Sequence, residues 1–341
     1  MKSNESTKET TPQSGKHLQK EHSMQRTRVF GPVPSRRLGK SIGINNIPPK
    51  ICSYSCVYCQ LGISLKMSAD RQPYYDPKEL FEEVKIKLNN AERNKEPIDY
   101  LTIVPDGEPT LDKNLGKLIG LIKHFGYKIA VITNSTLLSD PDVREEMGKA
   151  DWVSVKVDTV DEKKWKKINI PHKDIEFESM LNGISAFCHG YGGTLVTETM
   201  LINNLNSDVT SVAAFIKNLR PSTAYLSVPT RPPAKKWVEA PKEPEINKAY
   251  QIFQGFSINS EYLIGYEGNA FAYTGNVKED ILSITSVHPM REDAVKEYLK
   301  KANSNFSVIE EMVSDNQLFV SQYRHERFYL RRLSNLGASK K

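Results

Sequence analysis

Residues 52–59 read Cys52-Ser53-Tyr54-Ser55-Cys56-Val57-Tyr58-Cys59, three thiols spaced C-x3-C-x2-C on one short stretch. The chain has only 4 cysteines, and the last, Cys188, lies far downstream in the helical run ISAFCH. Three crowded thiols cannot all pair with one distant partner, so metal binding or redox chemistry leads over disulfides. The spacing lets three thiolates converge on one iron–sulfur cubane while the fourth iron receives none from this loop. The alternative is a single zinc ion, which wants a fourth ligand. His22 and His172 stand outside the motif's spacing. Cys188 reads as a small core hydrophobe.

On either side of this loop, short apolar runs alternate with amphipathic stretches. A strand over residues 40–45 leads into it. A helix follows over 77–93, with Leu80, Phe81, Val84, Ile86 and Leu88 at roughly helical spacing. Strands are then expected over 100–104, 128–133, 152–157, 194–201 and 224–228, separated by helices over 111–124, 142–149, 176–187 and 209–219. Such alternation predicts parallel βαβ units, here an open, partial (β/α)6 barrel of α/β class with its chemistry at the strands' C-terminal ends. The proline-rich stretch 229–244 marks the barrel's edge, and a helix over 245–256 is expected to pack back on it.

The remaining organisation follows from composition. Residues 1–27 hold almost no apolar side chains and are expected to be a disordered tail, so the barrel spans 28–256. Residues 257–277, with Gly265, Gly268 and Gly275, read as a connector. Residues 278–335 read as a small winged helix: helical stretches over 278–286, 292–301 and 307–313, then LFVSQY and RFYLRR joined by Arg324-His325-Glu326. A short tail covers 336–341. With 341 residues, 38% hydrophobic and 26% charged, the chain is neither collagenous, disulfide-stapled nor wholly disordered. It has no run long enough for a membrane helix and no secretory h-region, so a cytoplasmic protein without a membrane partner is expected. A net charge of +6 makes an anionic partner plausible.

The polar residues at the expected strand ends form a series. The second strand runs into Asp106-Gly107-Glu108-Pro109 and the third into Asn134-Ser135. Period-2 alternation puts Ser154, Lys156 and Asp158 on one face of the fourth, and Glu198 interrupts an apolar fifth. A polar face turned into a barrel needs partners. Together with the cysteines, this series resembles the radical S-adenosylmethionine superfamily. The resemblance implies that Cys52, Cys56 and Cys59 hold one [4Fe-4S] cluster, whose open iron is chelated by S-adenosylmethionine (AdoMet). It implies Tyr58 near the adenine and Gly107, Glu108 and Pro109 at the AdoMet ammonium. The first glycine of the superfamily's GGE motif is here Asp106. Asn134, Ser154, Asp158 and Glu198 would complete the cofactor shell. The implied reaction is reductive AdoMet cleavage to a 5′-deoxyadenosyl radical that abstracts hydrogen, with the electron coming from a donor such as flavodoxin or ferredoxin.

Within the superfamily, ADWVSVKVDTVDEKKWKKINIP and LVTETMLINNLN resemble the tRNA wyosine synthase group. The chain lacks that group's second cluster and its flavodoxin-like domain, so the resemblance implies a sister group with its own substrate. Lys156 is the candidate catalytic residue, as the amine of a pyruvate Schiff base, a role that asks for a lowered pKa. Arg36, Arg37 and Arg231, expected at the barrel's two edges, are candidates for an anionic substrate. The hairpin's Arg324, Arg327, Arg331 and Arg332 suit RNA, while Glu310 and Glu311 on the preceding helix argue against duplex readout. A peptide docked by the winged helix is the alternative substrate. A non-enzymatic iron–sulfur sensor with a DNA-binding winged helix is the alternative of another class, and the polar strand-end series argues against it.

Overall fold

Helix α1 (Pro77–Arg93) shows how the sequence builds the outer layer. Asp76 caps it by accepting the Lys78 amide at 2.9 Å, Pro77 opens it, and Leu80, Val84 and Leu88 bury one face at i, i+4, i+8. Ile86 falls off that face and is 59% exposed. The computed structural model describes residues 28–264, 271, 273–287 and 289–332. The expected tails 1–27 and 336–341, and Gly265 and Gly268 of the expected connector, lie outside the described residues.

The chain opens with the hairpin β1 (Val29–Ser35) and β2 (Gly39–Ile44), then the short pair β3 (Ile51–Cys52) and β4 (Lys66–Met67) that frames the cysteine loop. After α1 come β5 (Tyr100–Ile103), α2 (Leu115–Ile122), β6 (Lys128–Thr133), α3 (Pro141–Met147) and β7 (Trp152–Lys156). The next elements are α4 (Glu162–Ile168), α5 (Phe177–Gly190), β8 (Thr194–Met200), α6 (Thr210–Leu219), β9 (Thr223–Ser227), α7 (Glu243–Gly255) and β10 (Ser260–Leu263). They form one 8-stranded sheet in the order β1-β2-β5-β6-β7-β8-β9-β10. From β2 onward every pairing is parallel, and β1 alone is antiparallel. Helices cover the outer face, where Leu101, Ile103, Ile129, Val131, Val153 and Val155 bury the main core.

One expectation is corrected here. The segment read as a plain connector carries β10, a seventh parallel strand, so the barrel has one strand more than six. Its sequence, Ser260-Glu261-Tyr262-Leu263, has no apolar run because β10 is an edge strand, defined by backbone pairing to β9. Arg36 and Arg37 follow β1, one edge strand of the sheet, and Arg36 donates to the Leu263 carbonyl of β10, the other edge strand, at 2.5 Å. Antiparallel pairing of β1 with β2 sends their turn to the end opposite the cysteine loop, where Leu38 packs inside the barrel with Trp152, Val196 and Tyr225. Both arginines therefore enter from the floor.

Beyond the barrel lie α8 (Val277–Val287), β11 (Met290–Arg291), α9 (Glu292–Lys301), α10 (Ser307–Ser314), β12 (Leu318–Tyr323) and β13 (Glu326–Arg331). The three strands make an antiparallel sheet in the order β11-β13-β12. Its core, including Ile284, Val295, Tyr298 and Met312, continues onto Phe30 and Val33 of β1. Strand β1 thus joins the two sheets through a shared apolar core. Among the described residues no helix is long and apolar enough to cross a membrane.

Candidate active site

The cysteine loop crosses the mouth of the barrel, pinned by backbone from both sides. The amides of Ser55 and Val57 donate to the carbonyls of Asn169 and Ile168, at 3.0 and 2.9 Å, and the His172 amide donates to Ser53 at 2.8 Å. On the other side, the Glu108 amide donates to the Ile51 carbonyl at 3.1 Å. Gly107 is required there, because a Cβ would stand 2.0 Å from the Ile51 carbonyl oxygen. Its need arises from the approach of two backbones.

Cys52, Cys56 and Cys59 all face one cavity of about 330 Å³. Cys188 is buried in the outer core instead. Burial raises all three loop thiols, and desolvation with the nearby Asp158 charge takes Cys56 up to about 12. The free thiols are therefore protonated at neutral pH, and metal binding must displace those protons. Asn134 Nδ2 lies 3.5 Å from Cys52 Sγ and Asn169 Nδ2 lies 3.5 Å from Cys56 Sγ, so two sulfurs have an amide donor beside them. Three thiols on one loop, with N–H groups at their sulfurs, fit an iron–sulfur cluster. Among the described residues no three His, Cys, Asp or Glu side chains converge on a single ion. Thiols that each bind a different iron have no need to.

Strand ends supply the rest of the wall. Glu108 is 1% exposed, and its carboxylate accepts from Thr110 Oγ1 at 2.7 Å, Thr133 Oγ1 at 2.6 Å and the Asn134 amide at 2.7 Å. Burial raises its pKa, and these neutral donors offset only part of the shift. Across the sheet, Glu198 accepts from Lys156 Nζ at 3.0 Å and pairs with Arg37, which also reaches Ser154 Oγ at 3.2 Å. Burial alone would raise Glu198, but Lys156 and Arg37 outweigh it and hold the carboxyl well below the usual range. The Lys156 ammonium lies 4.9 Å from the centre of the Tyr58 ring. Arg231, 6% exposed, donates to Gln60 Oε1 of the cysteine loop at 2.6 Å.

The cavity thus gathers most of the residues singled out in the sequence, with Ser154 and both floor arginines on its wall. Two stand outside the lining. Asp158 sits behind Tyr58, accepting from its hydroxyl, from Asn169 Nδ2 at 2.7 Å and from the Met200 amide at 2.9 Å, so its oxygens are already used. Pro109 is buried in a turn where its carbonyl accepts from Asn46 at 3.0 Å. Burial pulls the Lys156 pKa down, but Glu198 and Asp158 raise it overall, the opposite of the lowered pKa that a Schiff base asks for. Sequence reading missed Asn169 and Lys50. Asn169 had a signal, a lone amide in Ile168-Asn169-Ile170-Pro171. Lys50 had none.

Comparisons agree with this geometry. The profile of the Radical SAM superfamily matches residues 46–216. A UPF0026 protein of Methanocaldococcus jannaschii is 46% identical over 91% of this chain and 97% of its own length. An S-adenosylmethionine-dependent nucleotide dehydratase of Lacinutrix mariniflava is 32% identical over 34% of this chain and 24% of its own. In fold, the solved structure of TYW1 with a lysine–pyruvate adduct bound superposes with a TM-score of 0.51 at 20% identity, covering 63% of this chain and 73% of that one.

Proposed function

The chain belongs to the Radical SAM superfamily, and from that premise we propose that it is an enzyme holding one [4Fe-4S] cluster and AdoMet that abstracts hydrogen from a nucleotide-type substrate such as an RNA base. The observation that carries this reading is the convergence of three thiols and four polar strand ends on one cavity. Bound there, the reduced cluster would supply the electron that cleaves AdoMet to methionine and a 5′-deoxyadenosyl radical. Cys52, Cys56 and Cys59 would hold the irons, with Asn134 and Asn169 steadying the first two sulfurs. Tyr58, fixed through its hydroxyl by Asp158, offers a ring face to the adenine. Lys156 and Arg37, both paired with Glu198 on the cavity wall, suit the carboxylate of AdoMet.

The C-terminal order helix–strand–helix–helix–strand–strand, with its central strand last, supports reading residues 277–331 as a winged helix. A nucleotide-type substrate is supported by the name of the nucleotide dehydratase relative and by the net charge of +6. The electron would come from a flavodoxin- or ferredoxin-type donor. Anaerobic reconstitution should give a reducible cluster by iron and sulfide counting and electron paramagnetic resonance. With dithionite and AdoMet, 5′-deoxyadenosine should form, and Cys56→Ala should abolish it. A protein that retains zinc and never shows a reducible cluster overturns the reading.

A further inference from the structure

A second cavity, of about 360 Å³, opens between the barrel and the C-terminal sheet. It shares Lys50, Leu61 and Asp106 with the cysteine cavity, so the two are neighbours across one wall. The far side is built by Phe319 of β12, Arg331 at the end of β13 and Arg332 just after it. Three cations to one carboxylate, Asp106, make this groove attractive to an anion.

Lys50 is the decisive residue. Its side chain is 7% exposed, and its ion pair with Asp106 spans 3.7 Å, beyond hydrogen-bond distance. The ammonium donates no hydrogen bond among the described residues. A buried ammonium without an acceptor is costly to keep, and an anionic ligand oxygen would supply what the protein does not. Phe319 adds a second chemistry. It is 36% exposed although apolar, and the Arg332 guanidinium lies 5.9 Å from its ring centre. An exposed ring with a guanidinium over it is a platform for a flat, electron-rich base. Phosphate beside base is a nucleotide, and a carboxylate-bearing peptide would leave the ring without a partner.

We propose that this groove is the substrate's anchoring subsite, taking the phosphate at Lys50 and the base at Phe319 and Arg332, so that the adjoining part of a nucleotide substrate reaches the cysteine cavity. The proposal rests on reading that cavity as the radical site. Equilibrium binding to the anaerobically reconstituted full chain tests it, with the four nucleoside 5′-monophosphates, the matching nucleosides and dodecauridylate as probes. At least one monophosphate should bind tenfold or more tighter than its nucleoside. Phe319→Ala, Arg332→Gln and Lys50→Met should each weaken it tenfold or more. The first two alter exposed side chains, so loss of fold does not explain their effect, and iron content checks Lys50→Met. Dodecauridylate binding tighter than uridine monophosphate, and losing affinity in the same variants, assigns the groove to RNA; equal binding assigns it to a free nucleotide. Equal affinity for nucleoside and nucleotide, or variants that bind like the wild type, overturns the proposal. Following 5′-deoxyadenosine in the same preparations separates the two ideas. Groove binding without AdoMet cleavage would break the radical reading alone, and cleavage with variant-insensitive binding would break the groove alone.

Discussion

Glu108 follows β5 and Glu198 lies in β8, three strands apart in one sheet and facing one cavity, yet they are held by opposite means. Neutral donors surround Glu108: two threonine hydroxyls and backbone amides. Two cations surround Glu198. Burial therefore wins at Glu108 and raises its pKa, whereas at Glu198 the cations overcome the same burial and lower it. Neutral donors fix the direction of a carboxylate without cancelling what its charge loses on leaving water, and cations do both. Glu108 thus knits the ends of β5 and β6, while Glu198 holds Lys156 and Arg37 on the wall where an anionic ligand would meet them.

The comparison can be broken most forcefully at Glu198. Glu198→Gln removes the carboxylate that two half-buried cations share, leaving Lys156 with Asp158 alone, and should lower stability by about 3 kcal/mol in urea unfolding of the apoprotein. Adding Arg37→Met should recover part of that loss. If Glu198→Gln costs no more than a surface substitution, the cations do not depend on it. Glu108→Gln should cost about 2 kcal/mol, because the amide nitrogen meets the Asn134 N–H or the threonine hydroxyls where an acceptor stood. The difference should come from misdirected donors, so Glu108→Gln should also weaken AdoMet binding to the reconstituted protein.

The smallest effect is the most specific. Glu198, with its folded pKa depressed, contributes stability above the ordinary glutamate pKa of about 4.3 and loses it as pH falls below that value. Glu108, with its folded pKa raised, contributes stability below about 4.3 and loses it as pH rises through its folded value. Wild type minus Glu198→Gln should therefore shrink on acidification, and wild type minus Glu108→Gln should grow, each by about 1 kcal/mol. Slopes of the same sign would show that the two sites are not held in opposite ways.

Much of the fold was legible because period and punctuation were strong. The strand expected over 128–133 is Lys128–Thr133, and the helix expected over 77–93 is Pro77–Arg93, where Asp76-Pro77 caps an i, i+4, i+8 apolar face. The three C-terminal helices also stand where their amphipathic stretches placed them. Strand β10 was illegible because edge pairing leaves no apolar signature. Of the site, the thiols were legible by spacing, and Glu198 and Lys156 by polarity inside apolar strands. Arg37 was legible as a basic residue but not as Glu198's partner, since the pair is separated by most of the barrel.

By itself the sequence determined the cysteine triad, the alternation that makes a parallel sheet and the polar strand ends, because each is a pattern within a few residues. Tertiary structure alone decided which polar groups are already used. Asp158 reads as a cofactor ligand and is consumed by Tyr58, Asn169 and Met200, whereas Lys50 carries no signal in the sequence and is buried without a hydrogen bond among the described residues. The physical reason is that satisfaction of a buried polar group depends on partners from distant segments, which only the closed barrel and its docked C-terminal sheet bring within reach.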